Sequence, residues 1–228
     1  MEIDYHYQLP ETQYIKEVTT KKQIVLHHTC SGDGIDGDVT WWKQTPERIA
    51  AQYIISRDGR VFEVFPDMYW AYHLGIKQSV FAEKGLTWQN LDKQSIGIEL
   101  DSWGPLLPYN NKFYPVKWDQ TSAKYLPNTS CKPVSTVCEY CSHGKFRGFQ
   151  YFEAYTMQQL VSLKELLILL LEKHHIDNHY DKTMWDVSTN ALRGRQGIYA
   201  HASYRADKSD IHPQMLGWGN VVKMLKEL

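Results

Sequence analysis

Two histidine-bearing segments lie near opposite ends of the chain, Ile-Val-Leu-His-His-Thr at 24–29 and Tyr-Ala-His-Ala-Ser-Tyr-Arg-Ala-Asp-Lys-Ser-Asp at 199–210. Between them they hold the residue types of an open zinc site, which takes three protein ligands from His, Asp, Glu or Cys and keeps a fourth position for water. His27, His201 and Asp210 meet that requirement, and the chemistry they imply is metal-assisted hydrolysis. Neighbouring residues of a strand point to opposite faces, so His27 and His28 cannot both enter one site. One ligates and the other packs, and the residues alone favour neither, because a histidine pair at a strand end is also a common hydrogen-bonded core arrangement. The second segment strengthens the metal reading: it can set the His201 imidazole and the Asp210 carboxylate on one ion with the Lys208 ammonium beside them.

The histidine pair needs a strand behind it, and residues 22–29 supply one, with Ile24, Val25 and Leu26 as a short apolar run ahead of a polar, glycine-rich stretch at 31–38. Ligand sites in open α/β sheets collect at such carboxyl ends of strands. Thr45-Pro46 reads as the N-cap and first-turn proline of a helix, and Asp58-Gly59 as the turn of a hairpin between strands at 52–56 and 60–65. Residues 95–101 alternate strictly, placing Ile96, Ile98 and Leu100 on one face of a strand and Gly97, Glu99 and Asp101 on the other, so two carboxylates share a face. Thr-Met-Gln-Gln at 156–159 is a capping box ahead of an apolar helix that runs to about Lys173. Residues 102–155, with Pro105, Pro108, Pro115, Pro127 and Pro133, read as a long irregular insertion over one face. The expected fold is α/β: one domain over residues 1–228, with a mixed central sheet flanked by helices and no repeat or linker dividing it.

Acidic and basic side chains nearly cancel, 26 against 25, so no global field draws the chain to nucleic acid or to an anionic membrane surface. The 8 Trp and 15 Tyr suit a packed core first, and second a groove for sugars or peptides. The N-terminus lacks the basic-then-apolar pattern of a secretory signal, so synthesis in the cytoplasm is expected, and the apolar run at 166–171 is too short to cross a bilayer. Cys30, Cys131, Cys138 and Cys141 are too few and too unevenly spaced for a disulfide scaffold. Cys131, Cys138, Cys141 and His143 could hold a structural zinc within the insertion, although reduced, packed thiols are the plainer reading.

Five segments in order carry a family resemblance: Val-Leu-His-His-Thr at 25–29, Gln-Tyr-Ile-Ile-Ser-Arg-Asp-Gly at 52–59, Trp-Ala-Tyr-His-Leu-Gly at 70–75, Ser-Ile-Gly-Ile-Glu-Leu at 95–100, and residues 201–210. In these the chain resembles the zinc-dependent N-acetylmuramoyl-L-alanine amidases, relatives of phage T7 lysozyme and of the peptidoglycan-recognition proteins. The resemblance covers nearly the whole chain. It implies an α/β amidase fold, a Zn2+ cofactor on His27, His201 and Asp210, Glu99 as catalytic acid/base and Lys208 beside the reacting carbonyl, with His28 packing. It also places His73 in a loop that faces substrate, a satisfied loop histidine being the alternative. Arg193, Arg195 and Arg205 could pair with stem-peptide carboxylates, Arg205 foremost, whereas solvated surface arginine is the plainer reading for at least two of them.

The chain departs from the family pattern in places. Asp210 stands where the T7-type relatives have a cysteine, a tyrosine of those relatives falls near Ala51, and an Asp-Pro-Gly motif becomes Asp-Ile-His-Pro at 210–213. The interval from His201 to Lys208 is one residue shorter than in many Asp-type members. His212 is therefore an alternative third ligand, and Asp207 a weaker one. The resemblance implies hydrolysis of the amide between N-acetylmuramic acid and L-alanine, with peptidoglycan or a muropeptide as substrate; a monomer without a separate wall-binding domain is expected. A phage endolysin made in the host cytoplasm and acting on the cell wall is the leading role. An amidase recycling anhydro-muropeptides in the cytoplasm and a non-catalytic peptidoglycan-recognition module are the alternatives, and an endopeptidase specificity is a further one.

Overall fold

In the computed structural model, which describes residues 1–32, 34–139, 144–178, 180–214 and 220–228, eleven strands fall into two sheets. The strands are β1 (Ile3–Asp4), β2 (Gln23–His28), β3 (Tyr53–Ile55), β4 (Val61–Glu63), β5 (Ser95–Leu100), β6 (Pro105–Tyr109), β7 (Lys112–Asp119), β8 (Lys124–Pro127), β9 (Val137–Glu139), β10 (Tyr151–Glu153) and β11 (Gly197–Ala200). The helices are α1 (Asp36–Gln44), α2 (Gln78–Glu83), α3 (Met157–His174), α4 (Thr189–Leu192) and α5 (Val221–Lys226). The central sheet runs β1-β4-β3-β5-β2-β11. Its middle is parallel, β3 with β5, β5 with β2 and β2 with β11, while β4 returns antiparallel to β3. A strand covered on both faces reads as a continuous apolar run, and all six residues of β2 are buried.

Alternation along β3 splits the core between the two faces. Ile55 joins Leu26, Ile98 and Leu100 in one cluster with Leu163, Leu166, Leu167 and Leu170 of α3, whereas Ile54 joins Val39 and Trp42 of α1. Each fully buried leucine is worth roughly 2 kcal/mol of transfer free energy, so α3 is held mainly by packing. Its start is the expected capping box: Gln159 N–H donates to Thr156 Oγ1 and Thr156 N–H to Gln159 Oε1, both at 3.0 Å.

Two sequence expectations are corrected. Thr45-Pro46 ends a helix and does not begin one: Thr45 caps the C-terminus of α1, its N–H donating to Trp41 O at 2.9 Å. A residue before proline is pushed out of the α region, which stops the helix there, and Ile35, Val39 and Trp42 supply its apolar stripe at helical spacing. The insertion at 102–155 is also not irregular. It forms an antiparallel five-stranded sheet in the order β8-β7-β6-β10-β9. Asn110 and Asn111, at φ 48° and 58°, make the two-residue turn between β6 and β7, while Pro105 opens β6 and Pro127 closes β8, the strand ends where proline is tolerated. Arg57 ties this sheet to the central one, forking onto Glu153 at 2.8 and 3.1 Å and pairing with Asp101. Asp101 therefore serves this junction, although the alternation put it on the face of Glu99.

Candidate metal centre

The parallel register sets the site. His27 pairs with Glu99 across β2 and β5, and His201 follows Ala200 at the end of β11, so three neighbouring strands present their C-terminal ends together. His201 opens a single 3-10 turn, from which the chain loops back until Asp210 O accepts the N–H of Ala202 at 2.9 Å. The result is a tight triangle. His27 Nδ1 stands 3.0 Å from His201 Nδ1 and 3.2 Å from Asp210 Oδ2, and His201 Nδ1 is 2.9 Å from the same oxygen. All three residues are buried, and among the described residues they are the group whose ligand atoms converge as a metal site requires.

The donor set fits zinc. Bonds of about 2.0–2.2 Å to nitrogen and oxygen in a tetrahedron imply ligand atoms about 3.3 Å apart, close to the three separations here. The protonation states fit too. Burial, then the neighbouring His201, lower the His27 pKa to about 4, leaving it neutral. Burial by itself would raise Asp210, but the close approach of His201 and His27 holds it well below the usual carboxylate range. A neutral imidazole at His27 and a carboxylate at Asp210 are forms a divalent cation binds.

Strand alternation decides between the paired histidines. His28 faces the α3 side, its Nδ1 3.0 Å from Tyr155 Oη, and it packs against Gly104, whose φ of 64° and lack of a Cβ leave room for the ring. His212 does not join the ligands either: its ring lies stacked between Phe152 and Tyr155 at 4.4 and 4.3 Å. Asp207 is turned to Arg205, accepting at 2.7 and 3.1 Å.

A cavity of about 480 Å³ opens over the triangle. Glu99 and Lys208 line it, with Asp38, Trp41 and Trp42 of α1 as part of its wall. Glu99 Oε2 is buried and has no hydrogen-bond partner, and burial, reinforced by the Asp210 and Asp38 charges, raises its pKa well above the carboxylate range. A buried carboxylate oxygen left open beside a candidate metal is poised to exchange a proton with a bound molecule. Asp38 is pushed up to about 6 by burial, against the Ser31 hydroxyl that favours its charge.

The substrate-binding expectations fare differently from the geometry of the triangle. His73 lines the cavity, but both its ring nitrogens turn inward, to His27 Nε2 at 3.0 Å and Ser95 Oγ at 2.8 Å. Arg205 is held by Asp207, lies over Gly75 and is not part of the cavity wall. Arg195 sits at the far end of the sheet, where its carbonyl accepts from Gln23, the first residue of β2, and Arg193 lies two residues before it. Cys131 accepts from Asn128 Nδ2 at 3.2 Å and Cys138 is a free thiol, while Cys141 and His143 lie outside the described residues. No helix among the described residues is long and apolar enough to cross a membrane.

Sequence reasoning missed Ser95, whose role depends on a partner 22 positions away, and α1, although Ile35, Val39 and Trp42 recur at helical spacing.

Comparison with known proteins gives a family and a fold. A family model described as N-acetylmuramoyl-L-alanine amidase matches residues 18–213. No protein of the curated set matches the sequence. Among solved structures, PlyL is similar with a TM-score of 0.53 at 12% identity, over 100% of this chain and 96% of that one. The PlyG catalytic domain reaches 0.51 at 12% identity, over 100% and 94%. The hydrolase AmiA of Staphylococcus aureus, solved in complex with its ligand, also reaches 0.51 at 12% identity, over 99% and 81%. At that identity the structures attest the fold.

Proposed function

Because the chain belongs to the N-acetylmuramoyl-L-alanine amidase family, its reaction is hydrolysis of the amide between N-acetylmuramic acid and L-alanine of peptidoglycan, and we propose that His27, His201 and Asp210 hold the zinc that supports it. The observation that carries this reading is the convergence of two Nδ1 atoms and one carboxylate oxygen under a cavity that also holds an unpartnered carboxylate. Zinc in such a site supplies Lewis acidity, making water acidic near neutral pH and drawing electron density from an amide carbonyl.

The remaining steps fall to side chains of the cavity. Glu99 Oε2 takes a proton from the attacking water as its oxygen bonds to the carbonyl carbon. The same carboxyl then gives that proton to the alanine nitrogen as the carbon–nitrogen bond breaks, leaving a lactyl carboxylic acid and a free amine. Glu99 thus ends as it began. The Lys208 ammonium offsets the negative charge that develops on the carbonyl oxygen. Trp41, which is more than half exposed at the rim, offers a flat face against which a sugar or peptide can pack.

We carry the wall-lytic role of an endolysin as the biological reading, acting on peptidoglycan as a monomer. The test is to incubate the purified protein with intact sacculi and, separately, with soluble anhydro-muropeptides, and to identify products by mass spectrometry with and without a chelator. Release of free stem peptides from sacculi, abolished by the chelator and restored by zinc, is expected. Cleavage within the stem peptide would overturn the bond assignment, chelator-insensitive turnover would overturn the zinc site, and action on fragments alone would replace lysis by recycling.

A further inference from the structure

We infer that His73 is a positioning residue that fixes the metal-binding tautomer of His27, at the end of a one-way hydrogen-bond chain running from a backbone carbonyl. This rests on the reading of His27, His201 and Asp210 as zinc ligands. The chain has three links: Ser95 Oγ donates to Leu91 O at 2.9 Å, His73 Nε2 lies 2.8 Å from Ser95 Oγ, and His27 Nε2 lies 3.0 Å from His73 Nδ1.

Its direction follows from which groups can donate. A carbonyl only accepts, so the Ser95 hydroxyl proton points to Leu91 and the serine oxygen is left to accept. His73 must then carry its ring proton on Nε2, which makes Nδ1 an acceptor. His27 donates to it from Nε2, and its own Nδ1 is left as a lone pair aimed at His201 and Asp210. Reversal would put a proton on His27 Nδ1, inside the triangle where the cation belongs, and would cost the serine its bond to Leu91.

The second histidine ligand is set the same way with one link. His201 Nε2 lies 2.9 Å from Leu74 O, so it donates there and presents Nδ1 unprotonated. Residues 73 and 74 therefore serve both ligands, and their loop is itself pinned: Asp92 Oδ1 accepts the N–H of His73 at 2.8 Å and of Leu74 at 2.9 Å. The strand behind them is cut to fit. On one face of β5, Ser95 anchors the chain, Glu99 enters the cavity, and between them a Cβ on Gly97 would stand 3.2 Å from His73 Nδ1 and 3.0 Å from Ala51 Cβ. A side chain there would crowd the imidazole that lies against the strand.

The test uses the whole chain, with zinc affinity measured by chelator competition and histidine tautomers read from 15N shifts of the metal-free protein. In the wild type His27 should be protonated at Nε2. His73→Leu, which removes the acceptor, should weaken zinc by about 10–100-fold and leave His27 a mixture of tautomers. His73→Asn, whose amide oxygen can stand where Nδ1 stood, should restore affinity to within a few-fold of wild type. Ser95→Ala provides a smaller perturbation, should His73→Leu fail to fold, and should shift affinity in the same direction. Wild-type zinc affinity in a folded His73→Leu or Ser95→Ala protein, or a proton found on His27 Nδ1, would overturn the inference. His27→Ala separates the two levels: if it keeps the metal the zinc site itself is wrong, whereas loss of metal there beside unchanged binding in His73→Leu refutes the relay alone.

Discussion

Glu99→Gln separates proton transfer from metal binding. Glu99 stands in register with His27, so a change there that disturbed the sheet would disturb the ligand, but glutamine keeps the shape and removes only the titratable oxygen. Loss of a positioned general acid–base group costs about 10²–10⁴ in rate, which is about 3–5 kcal/mol of transition-state stabilisation. Because the three ligand atoms belong to other residues, zinc content should stay at the wild-type level. Stability should hold or rise, since Oε2 is buried without a partner and its charged form is penalised by burial and by Asp210 and Asp38. The assay is turnover of a soluble muropeptide, with metal analysis and a thermal melt on the same preparation. A zinc-replete variant within tenfold of wild-type turnover would remove Glu99 from the mechanism. Loss of zinc together with activity would instead place its carboxylate in the metal site.

Zinc binding should also appear as stability. At a thousand times the dissociation constant a ligand adds about 4 kcal/mol, and with an unfolding entropy of about 2.1 cal/mol/K per residue over 228 residues this raises Tm by roughly 9 °C. A chelator should reverse the shift in calorimetry, and Asp210→Ala should abolish it; an unchanged melt would speak against the site. Away from the centre, Asp67 is buried and its pKa falls to about 2: burial would raise it, but His174, 3.2 Å away and off the hydrogen-bond axis, and Lys173 at 2.8 and 3.0 Å hold the charge. A folded value below the ordinary 3.8 means stabilisation that is complete above that pH and lost as pH falls through about 2. Asp67→Asn should therefore cost about 1–2 kcal/mol at pH 7, discounted because Lys173 is half exposed, and the gap to wild type should close in acid. A gap that persists unchanged in acidic denaturant melts would mean that packing, not charge, holds this residue.

Much of this protein was legible in its residues because the signals were local. The apolar run before His27, the alternation of 95–101, the Asp58-Gly59 turn and the Thr156 box each act over a few positions, and each appears in the fold at nearly the expected bounds. The donor types for a metal were likewise visible at 27, 201 and 210. Local signals misled where two meanings compete for one residue. Proline at 46 marks a helix end as readily as a start, and prolines between 105 and 127 suggested irregular chain where they sit in an antiparallel sheet, two of them at strand ends. The choice of His27 over His28 lay beyond local reading, because alternation says that the two differ but not which face carries the cavity. That was decided by the packing of α1 on one side of the sheet and α3 on the other. The inward turn of His73 belongs to the same class, since it depends on Ser95 and His27 meeting it from other strands. Residue type and spacing thus set the available chemistry, while hydrogen-bond direction and the facing of each side chain arise only when distant strands come into register, because each depends on a partner that the neighbouring sequence does not contain.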